Sequence, residues 1–271
     1  MCSFSDRPGY VNGGMHENVA AAREAVDAWR RGKHSEGVAG QVIQYVSAHD
    51  DLTLWDKLCA SFAAGSLGST VAEGVNENTV DVPKVMYDAD FSAEGLAGVG
   101  PQIAAALTDV MDANKLAVGI TLTSAGIPFM LSGEEFARTK YGNDNSFESG
   151  SRINLLDWTR ASAMRGLVRY YADLIALRAA SPAWFDAERA IVPTESSMVA
   201  FLVGDHAVLV NPDVRERTMP LTVMNRAVAE RDGNANGLRR PVWRCVLDST
   251  SARYAIGGHD DGGSDAFASH V

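Results

Sequence analysis

The segment YVSAHDDLTLWD, residues 45–56, decides the fold, because in it a short apolar run ends on an adjacent histidine and aspartate. The run at residues 42–46 is short and β-branched, which predicts a buried strand, and a helical pattern follows it. A strand that presents an imidazole and a carboxylate, here His49 and Asp50, at its carboxyl end is typical of barrel enzymes. The stretch therefore predicts a parallel α/β architecture with a polar site at the strand tip.

The alternation of strand and helix continues along the chain. Pro101 suits the first turn of a helix that reaches towards Ser124, and residues 127–131 read as a second buried strand. An amphipathic helix is predicted at residues 165–180, stopped by Pro182. Further helices are predicted at residues 19–31 and from about residue 52 to residue 65, and residues 65–100 are predicted to form a long surface loop with room for a short helix inside it.

Beyond Trp184 the pattern changes to short strands between turn-rich loops. Strands are predicted at residues 198–203, 207–211, 219–223 and 242–247, which indicates a small β-sandwich. Residues 257–271 fit neither a strand nor a helix and are predicted to be a loop. The chain therefore divides into an α/β part, residues 1–184, and a β-sandwich domain, residues 185–271.

The composition excludes several classes of partner. The chain has 271 residues and a net charge of −10, which repels nucleic acid and anionic lipid surfaces. Its N-terminus lacks the basic and apolar regions of a signal peptide, so a cytoplasmic location is favoured. The three cysteines are far apart and have no metal-binding spacing, and the HDDGGSD stretch lacks the spaced ligands of a calcium loop. We expect no metal and no cofactor.

Two further motifs follow the first one, namely GIPFMLSGEEFARTK at residues 126–140 and NDNSFESGSRINLLDW at residues 143–158. The order and spacing of the three motifs resemble the type I pullulanases of glycoside hydrolase family 13. The resemblance extends over about residues 4–247. It implies that residues 1–184 correspond to about strands six to eight of a (β/α)8 barrel, followed by an incomplete sandwich. The activity that it implies is hydrolysis of α-1,6 branch linkages in pullulan, starch or glycogen, with retention.

The resemblance gives roles to the residues at the strand tip. Asp50 matches a carboxylate that grips the hydroxyls of the sugar being cleaved and stabilises the transition state, and His49 would donate to the same sugar. A simpler interpretation is that Asp50 or Asp51 caps the helix that follows. Asp51 departs from the family, which usually has asparagine at this position, and an added carboxylate beside Asp50 puts the substrate contacts in doubt.

The later motifs carry the other candidate residues for substrate binding. Arg138 either orients carboxylates and sugar hydroxyls or is simply solvated. Asp144 and Asn145 lie in a loop whose amides and carboxylate suit sugar hydroxyls. Phe147 replaces a tyrosine that is common in the family. Trp158 is predicted to be core or domain packing rather than a sugar platform.

The groups that react with the substrate are expected to be absent. In the family, the nucleophilic aspartate and the acid/base glutamate lie ahead of the segment that the first residues of this chain resemble, whereas a retaining enzyme needs both. We therefore expect the chain to be inactive alone, with an α-glucan and the missing N-terminal half of the enzyme as partners. The alternatives are a noncatalytic glycan-binding or vestigial fragment, and a fragment of an isoamylase or α-amylase type.

Overall fold

The computed structural model of the chain describes residues 9–12, 39–66, 82–88, 90–194, 197–213, 215–233 and 241–255. The predicted helix at residues 19–31, the loop at residues 257–271 and Cys2 lie outside these ranges. The helices of the described part are α1 (Leu54–Ser66), α2 (Lys84–Tyr87), α3 (Ala93–Gly98), α4 (Pro101–Thr123), α5 (Gly150–Asn154), α6 (Trp158–Ala163), α7 (Arg165–Ala179), α8 (Ala183–Asp186) and α9 (Leu221–Arg231). The strands are β1 (Ile43–Gln44), β2 (Ile127–Pro128), β3 (Ala190–Val192), β4 (Val199–Val203) and β5 (His206–Val210).

Strands β1 and β2 form a parallel pair, and Ile43 lies opposite Ile127. The Ile127 amide donates to the Val42 carbonyl at 2.8 Å, and the Phe129 amide donates to the Gln44 carbonyl at 2.8 Å. Parallel strands need a crossover connection, which α1 to α4 supply between β1 and β2. The predicted α/β class is confirmed.

The prediction that both strands are buried is wrong for one face of this sheet. Val42 and Gln44 point into the molecule, whereas Ile43 is 58% exposed and Ile127 is 43% exposed. Tyr45 and Phe129 continue the same face and are also exposed, with their ring centroids 6.0 Å apart. Parallel sheets are usually covered on both faces, so these strands carry an apolar face that the described residues leave open.

The main hydrophobic core lies among α1, α4 and α7. Both long helices begin where the sequence predicts, because Pro101 occupies the first turn of α4 and the apolar residues of α7 repeat at helical spacing. Leu58, Leu107 and Tyr171 are among the buried residues of this core. Trp55 is 1% exposed, which confirms the prediction that it packs in the core. No helix in the described ranges has the length and apolar character needed to span a lipid bilayer.

Strands β3, β4 and β5 form an antiparallel meander with β4 in the centre and buried along its whole length. Val199 and Val210 join the core formed by the long helices, while Ala200 and Leu202 face α9. The strand predicted at residues 219–223 is wrong, since Pro220 precedes the helix α9. Met224 and Ala227 are buried three residues apart, so the apolar pattern continues with a helical period that a five-residue window misses.

Residues 241–248 also contain no strand, contrary to the prediction for residues 242–247. A side-chain contact attaches this segment to α9, since the Trp243 indole donates to Asn225 at 2.9 Å. Further on, the Tyr254 hydroxyl donates to Asp173 of α7 at 2.7 Å. Whether a sandwich forms a separate domain stays a prediction.

Candidate functional site

The candidate site lies at the carboxyl end of β1, on the segment that leads to α1. The His49 Nε2 atom lies 3.3 Å from Asp50 Oδ2, and the two side chains are 84% and 83% exposed. Asp51 follows with a φ of 62°, a left-handed conformation that is uncommon outside glycine. The structure therefore brings the predicted histidine and aspartate together and presents both to solvent.

The interpretation of Asp50 or Asp51 as a helix cap is wrong. Helix α1 begins at Leu54, and the Asp56 amide donates to the Thr53 hydroxyl at 3.1 Å. Thr53 therefore satisfies an amide that the first turn of the helix leaves without a backbone partner. The carboxylate of Asp50 is not used in this way.

Three side chains tether the segment that carries His49. The Lys57 ammonium donates to the Val46 carbonyl at 3.3 Å, and the Lys140 ammonium donates to the His49 carbonyl at 2.7 Å. Between them, the Ser47 hydroxyl donates to Glu134 at 2.6 Å. The tethers come from α1 and from the loop after β2, so side chains from two parts of the chain fix the path of this backbone.

Glu134 links the ends of the two parallel strands. Its second carboxylate oxygen accepts the Leu131 amide at 3.1 Å, so the carboxylate joins the loop after β2 to Ser47 beyond β1. Burial raises the pKa of Glu134 to about 7, against the lowering effect of these two hydrogen bonds. Glu135 accepts the Gly133 amide at 3.0 Å. Both glutamates therefore support the loop that follows β2.

Asp56 is a fully buried carboxylate beneath the site. It accepts the Thr139 hydroxyl at 2.5 Å and the Lys140 amide at 2.8 Å. Burial raises the pKa of Asp56, and these hydrogen bonds oppose the rise. For Lys140, burial and then the charge of Arg138 lower the pKa, while the nearby carboxylates of Asp56 and Asp50 raise it.

Arg138 lies next to this network, and its guanidinium binds backbone carbonyls. One terminal nitrogen donates to Ser132 at 3.1 Å, and the other donates to Asn154 at 2.9 Å. The fork joins the loop after β2 to α5. A contact between Arg138 and a sugar stays a prediction.

The loop at residues 143–149 holds its own shape through side-chain hydrogen bonds. The Asn145 amide donates to the Asn143 side chain at 2.9 Å, and the Asn143 amide group donates to Ser149 at 3.0 Å. Asn145 is exposed, Asp144 is half-buried, and the Phe147 ring is 77% exposed. The sugar contacts proposed for Asp144 and Asn145 stay predictions.

Trp158 is 67% exposed, so it is not a core residue, and of the predicted core or domain packing only the second stays a prediction. One side of its ring lies against the buried Phe136, with the centroids 5.5 Å apart, and the rest faces solvent. Tyr141 is exposed as well, and its ring lies edge-on to Tyr87 at 6.2 Å. Exposed rings of this kind suit stacking against the apolar face of a sugar.

A cavity of about 410 Å³ lies elsewhere, between α4, α7, β5 and residues 243–249. Its walls are mainly apolar, with Ile120, Leu174 and Met224 among the lining residues. Recognition of a sugar needs several hydrogen-bonding groups aimed at hydroxyls. The tip of β1 fits this requirement better than the cavity does.

Sequence reasoning missed the roles of Asp56 and Lys140. The two residues are 84 positions apart, so no local pattern links them. The available signal was weak: the RTK sequence at residues 138–140 supplies two cations and the first motif supplies three carboxylates, but nothing in the sequence pairs them.

No protein-family model matches the chain. It is 33% identical over 144 residues to pullulanase from Bacillus subtilis strain 168, which covers 53% of this chain and 14% of that protein. A mutant pullulanase from Paenibacillus barengoltzii, solved in complex with maltotetraose, matches with a TM-score of 0.53 and 28% identity over 77% of this chain. Pullulanase from Anoxybacillus sp. LM18-11 matches with a TM-score of 0.50 and 27% identity over 72% of this chain.

The coverage of these proteins is partial in each case. The chain spans 29% of the Paenibacillus structure and 22% of the Anoxybacillus structure. It therefore matches well under a third of each protein.

Proposed function

The predicted resemblance to part of the type I pullulanases is confirmed by sequence and by fold, and from it we propose that the chain is the sugar-contacting part of a pullulanase-type debranching enzyme. The substrate is an α-glucan with α-1,6 branch linkages. In this proposal residues 1–184 correspond to the C-terminal part of a (β/α)8 barrel and residues 185–271 to an incomplete sandwich, of which the described residues form one three-stranded sheet packed against α9. The observation that carries the proposal is the exposed His49–Asp50 pair at the end of a parallel strand.

The chemistry of the pair supports this role. A carboxylate that accepts two ring hydroxyls strengthens its hold as the sugar flattens towards an oxocarbenium ion. The Asp50 side chain is exposed, so its oxygens can accept hydrogen bonds from sugar hydroxyls. The His49 ring lies beside it and can donate a hydrogen bond to the same sugar. The exposed rings of Trp158 and Tyr141 are candidates for stacking against neighbouring sugars.

Hydrolysis with retention needs a nucleophile and an acid/base residue, which the resemblance assigns to segments outside this chain. A protein that supplies them would also cover the open face of β1 and β2. Ile43, Tyr45, Ile127 and Phe129 form a continuous apolar strip there, and such a strip is a common feature of protein interfaces. We therefore expect the chain to act on a glucan only together with the remaining part of the fold.

The test is pullulan hydrolysis by three samples: the chain alone, the part of the Paenibacillus barengoltzii pullulanase that this chain does not match, and the mixture. We expect reducing sugar only from the mixture. Asp50→Ala should lower the rate of the mixture about a hundredfold or more, and His49→Ala should lower it less. Asp205→Ala, on the turn between β4 and β5, is the control that should leave the rate unchanged.

One outcome is that the purified chain hydrolyses pullulan by itself and that Asp50→Ala abolishes this activity. That result would overturn the assignment of the nucleophile and the acid/base residue to another segment. Full activity of the Asp50→Ala mixture would overturn the role of Asp50. The noncatalytic glycan-binding alternative would be favoured by two results together: the mixture has no activity, and the isolated chain binds maltotetraose in a way that Asp50→Ala abolishes.

A further inference from the structure

The His49–Asp50 tip is solvent-exposed at its side chains, yet its backbone is attached to the interior of the protein. The Lys140 ammonium reaches the His49 carbonyl at 2.7 Å, and Lys140 itself is buried. An exposed loop held only by water would move freely, and a moving carboxylate cannot be complementary to a transition state. The hydrogen bond from Lys140 therefore limits the motion of the backbone that carries the Asp50 carboxylate.

Lys140 is in turn held by Asp56. The Asp56 carboxylate accepts the backbone amide of Lys140 at 2.8 Å and the adjacent Thr139 hydroxyl at 2.5 Å. Asp56 lies in the first turn of α1, which packs in the main core. A rigid helix thus fixes the backbone from which the lysine side chain extends.

The backbone around this network is in an unusual conformation. The non-glycine residues of the described part with a positive φ are Asp51 at 62°, Ala137 at 57° and Tyr141 at 54°. Asp51 follows the tip directly, and Tyr141 follows Lys140. Conformations of this kind are energetically unfavourable outside glycine and concentrate at functional sites.

Charge gives Lys140 a second effect at the tip. Its ammonium is close enough to Asp50 and Asp51 for both carboxylates to raise its pKa. Two adjacent aspartates at a strand tip repel each other, and a cation beneath them reduces that repulsion. Of the other two tethers, Lys57 donates to the Val46 carbonyl, three residues before His49, and Glu134 is an acidic residue.

We propose that Lys140, held in place by Asp56, is a positioning residue that fixes the His49–Asp50 tip for binding an α-glucan. The inference rests on the proposed function, since Lys140 is proposed to fix the position of Asp50, the carboxylate that binds the sugar. Lys140 acts through the His49 carbonyl and its own charge and does not itself touch the substrate.

The experiment compares Lys140→Met with Lys140→Arg in the full chain. Methionine keeps most of the length and removes both the donor and the charge, whereas arginine keeps both. Lys84→Met is the matched control, because the Lys84 side chain is 83% exposed and, among the described residues, forms an ion pair with Asp88 four positions along the chain. Asp56→Asn tests the same network from the other side and serves if the methionine variant does not fold.

Two quantities are measured for each variant. The first is the affinity for maltotetraose by isothermal titration calorimetry, with Asp50→Ala as the reference for a lost site. The second is hydrogen–deuterium exchange of residues 46–52, with α7 as the internal standard. We expect Lys140→Met to weaken binding about tenfold and to speed exchange at residues 46–52 about tenfold, with α7 unchanged. Lys140→Arg should restore most of the affinity.

The outcomes separate the two proposals. If Asp50→Ala abolishes binding and Lys140→Met does not weaken it, the inference about Lys140 is overturned while the proposed function stands. Equal loss in the methionine and arginine variants would overturn it too, because a retained donor and charge should rescue a positioning role. If the wild-type chain binds no maltotetraose and exchange at residues 46–52 is the same in all variants, both proposals fail.

Discussion

Glu134→Gln should change how the stability of the protein depends on pH. Burial raises the pKa of Glu134 to about 7 in the folded protein, against about 4.5 for an unperturbed glutamate. Below pH 4.5 the group is protonated in both the folded and the unfolded states. Between pH 4.5 and 7 the unfolded chain loses the proton first, so the free energy of unfolding falls as the pH rises.

The size of the effect follows from the two pKa values. Their difference of about 2.5 corresponds to about 3 kcal/mol of stability, present at low pH and lost once the pH has passed about 7. Glutamine has nearly the same shape and stays neutral. Its carbonyl can still accept the Leu131 amide, and its amide group can donate to the Ser47 hydroxyl, so both links between the strand ends are kept.

The measurement is urea unfolding followed by tryptophan fluorescence at several pH values from 4.5 to 8. We expect the variant and the wild type to be about equally stable at pH 4.5 and the variant to be about 3 kcal/mol more stable at pH 8. Glu148→Gln, at an exposed position, is the control and should follow the wild-type curve. Parallel curves for wild type and Glu134→Gln, or a variant that loses stability at high pH, would refute the reasoning.

Three further substitutions test separate parts of the structure. Asp51→Asn should stabilise the chain by about 0.5 kcal/mol in urea unfolding, because asparagine tolerates the left-handed conformation better; a destabilised variant would contradict this. Gly166→Ala should destabilise the chain by about 2 kcal/mol, since a Cβ at this position would lie 2.4 Å from the Ala255 carbonyl oxygen. The control is Gly98→Ala, whose added Cβ would meet no atom within 4 Å. Equal melting temperatures for the two variants would contradict the expected clash. Tyr45→Ser removes apolar surface from the exposed face of the β1–β2 sheet and should therefore reduce self-association of the chain, measured by sedimentation velocity. A wild-type chain that stays monomeric at all concentrations would contradict the idea that this face drives self-association.

Long periodic elements were predictable from the sequence, and their partners were not. The helices α4 and α7 and the central strand β4 follow the predicted positions closely, because many residues contribute to each pattern. The start of helix α9 was predicted as a strand from five residues, a window too short to distinguish the two-residue period of a strand from the 3.6-residue period of a helix. Strand β1 was predicted to be buried because apolar parallel strands usually are, but burial depends on neighbours that a short motif does not specify.

The candidate site divides in the same way. His49 and Asp50 are adjacent in sequence, so their proximity at the end of a strand was predictable. Asp56 and Lys140 meet across 84 positions, and only the folded chain joins them. The exposure of Trp158 was missed because tryptophan is usually well buried, and nothing in the sequence INLLDW tells which side of the ring is covered.

The described residues leave one face of the β1–β2 sheet open, so any partner that covered this face would also stabilise the folded chain. A partner that binds only the folded state adds about 2.7 kcal/mol to stability at a concentration of one hundred times its dissociation constant. A typical single substitution changes stability by about 1 kcal/mol. If such a partner exists, the amount of folded chain would depend on the partner's concentration more strongly than on most single substitutions in the chain.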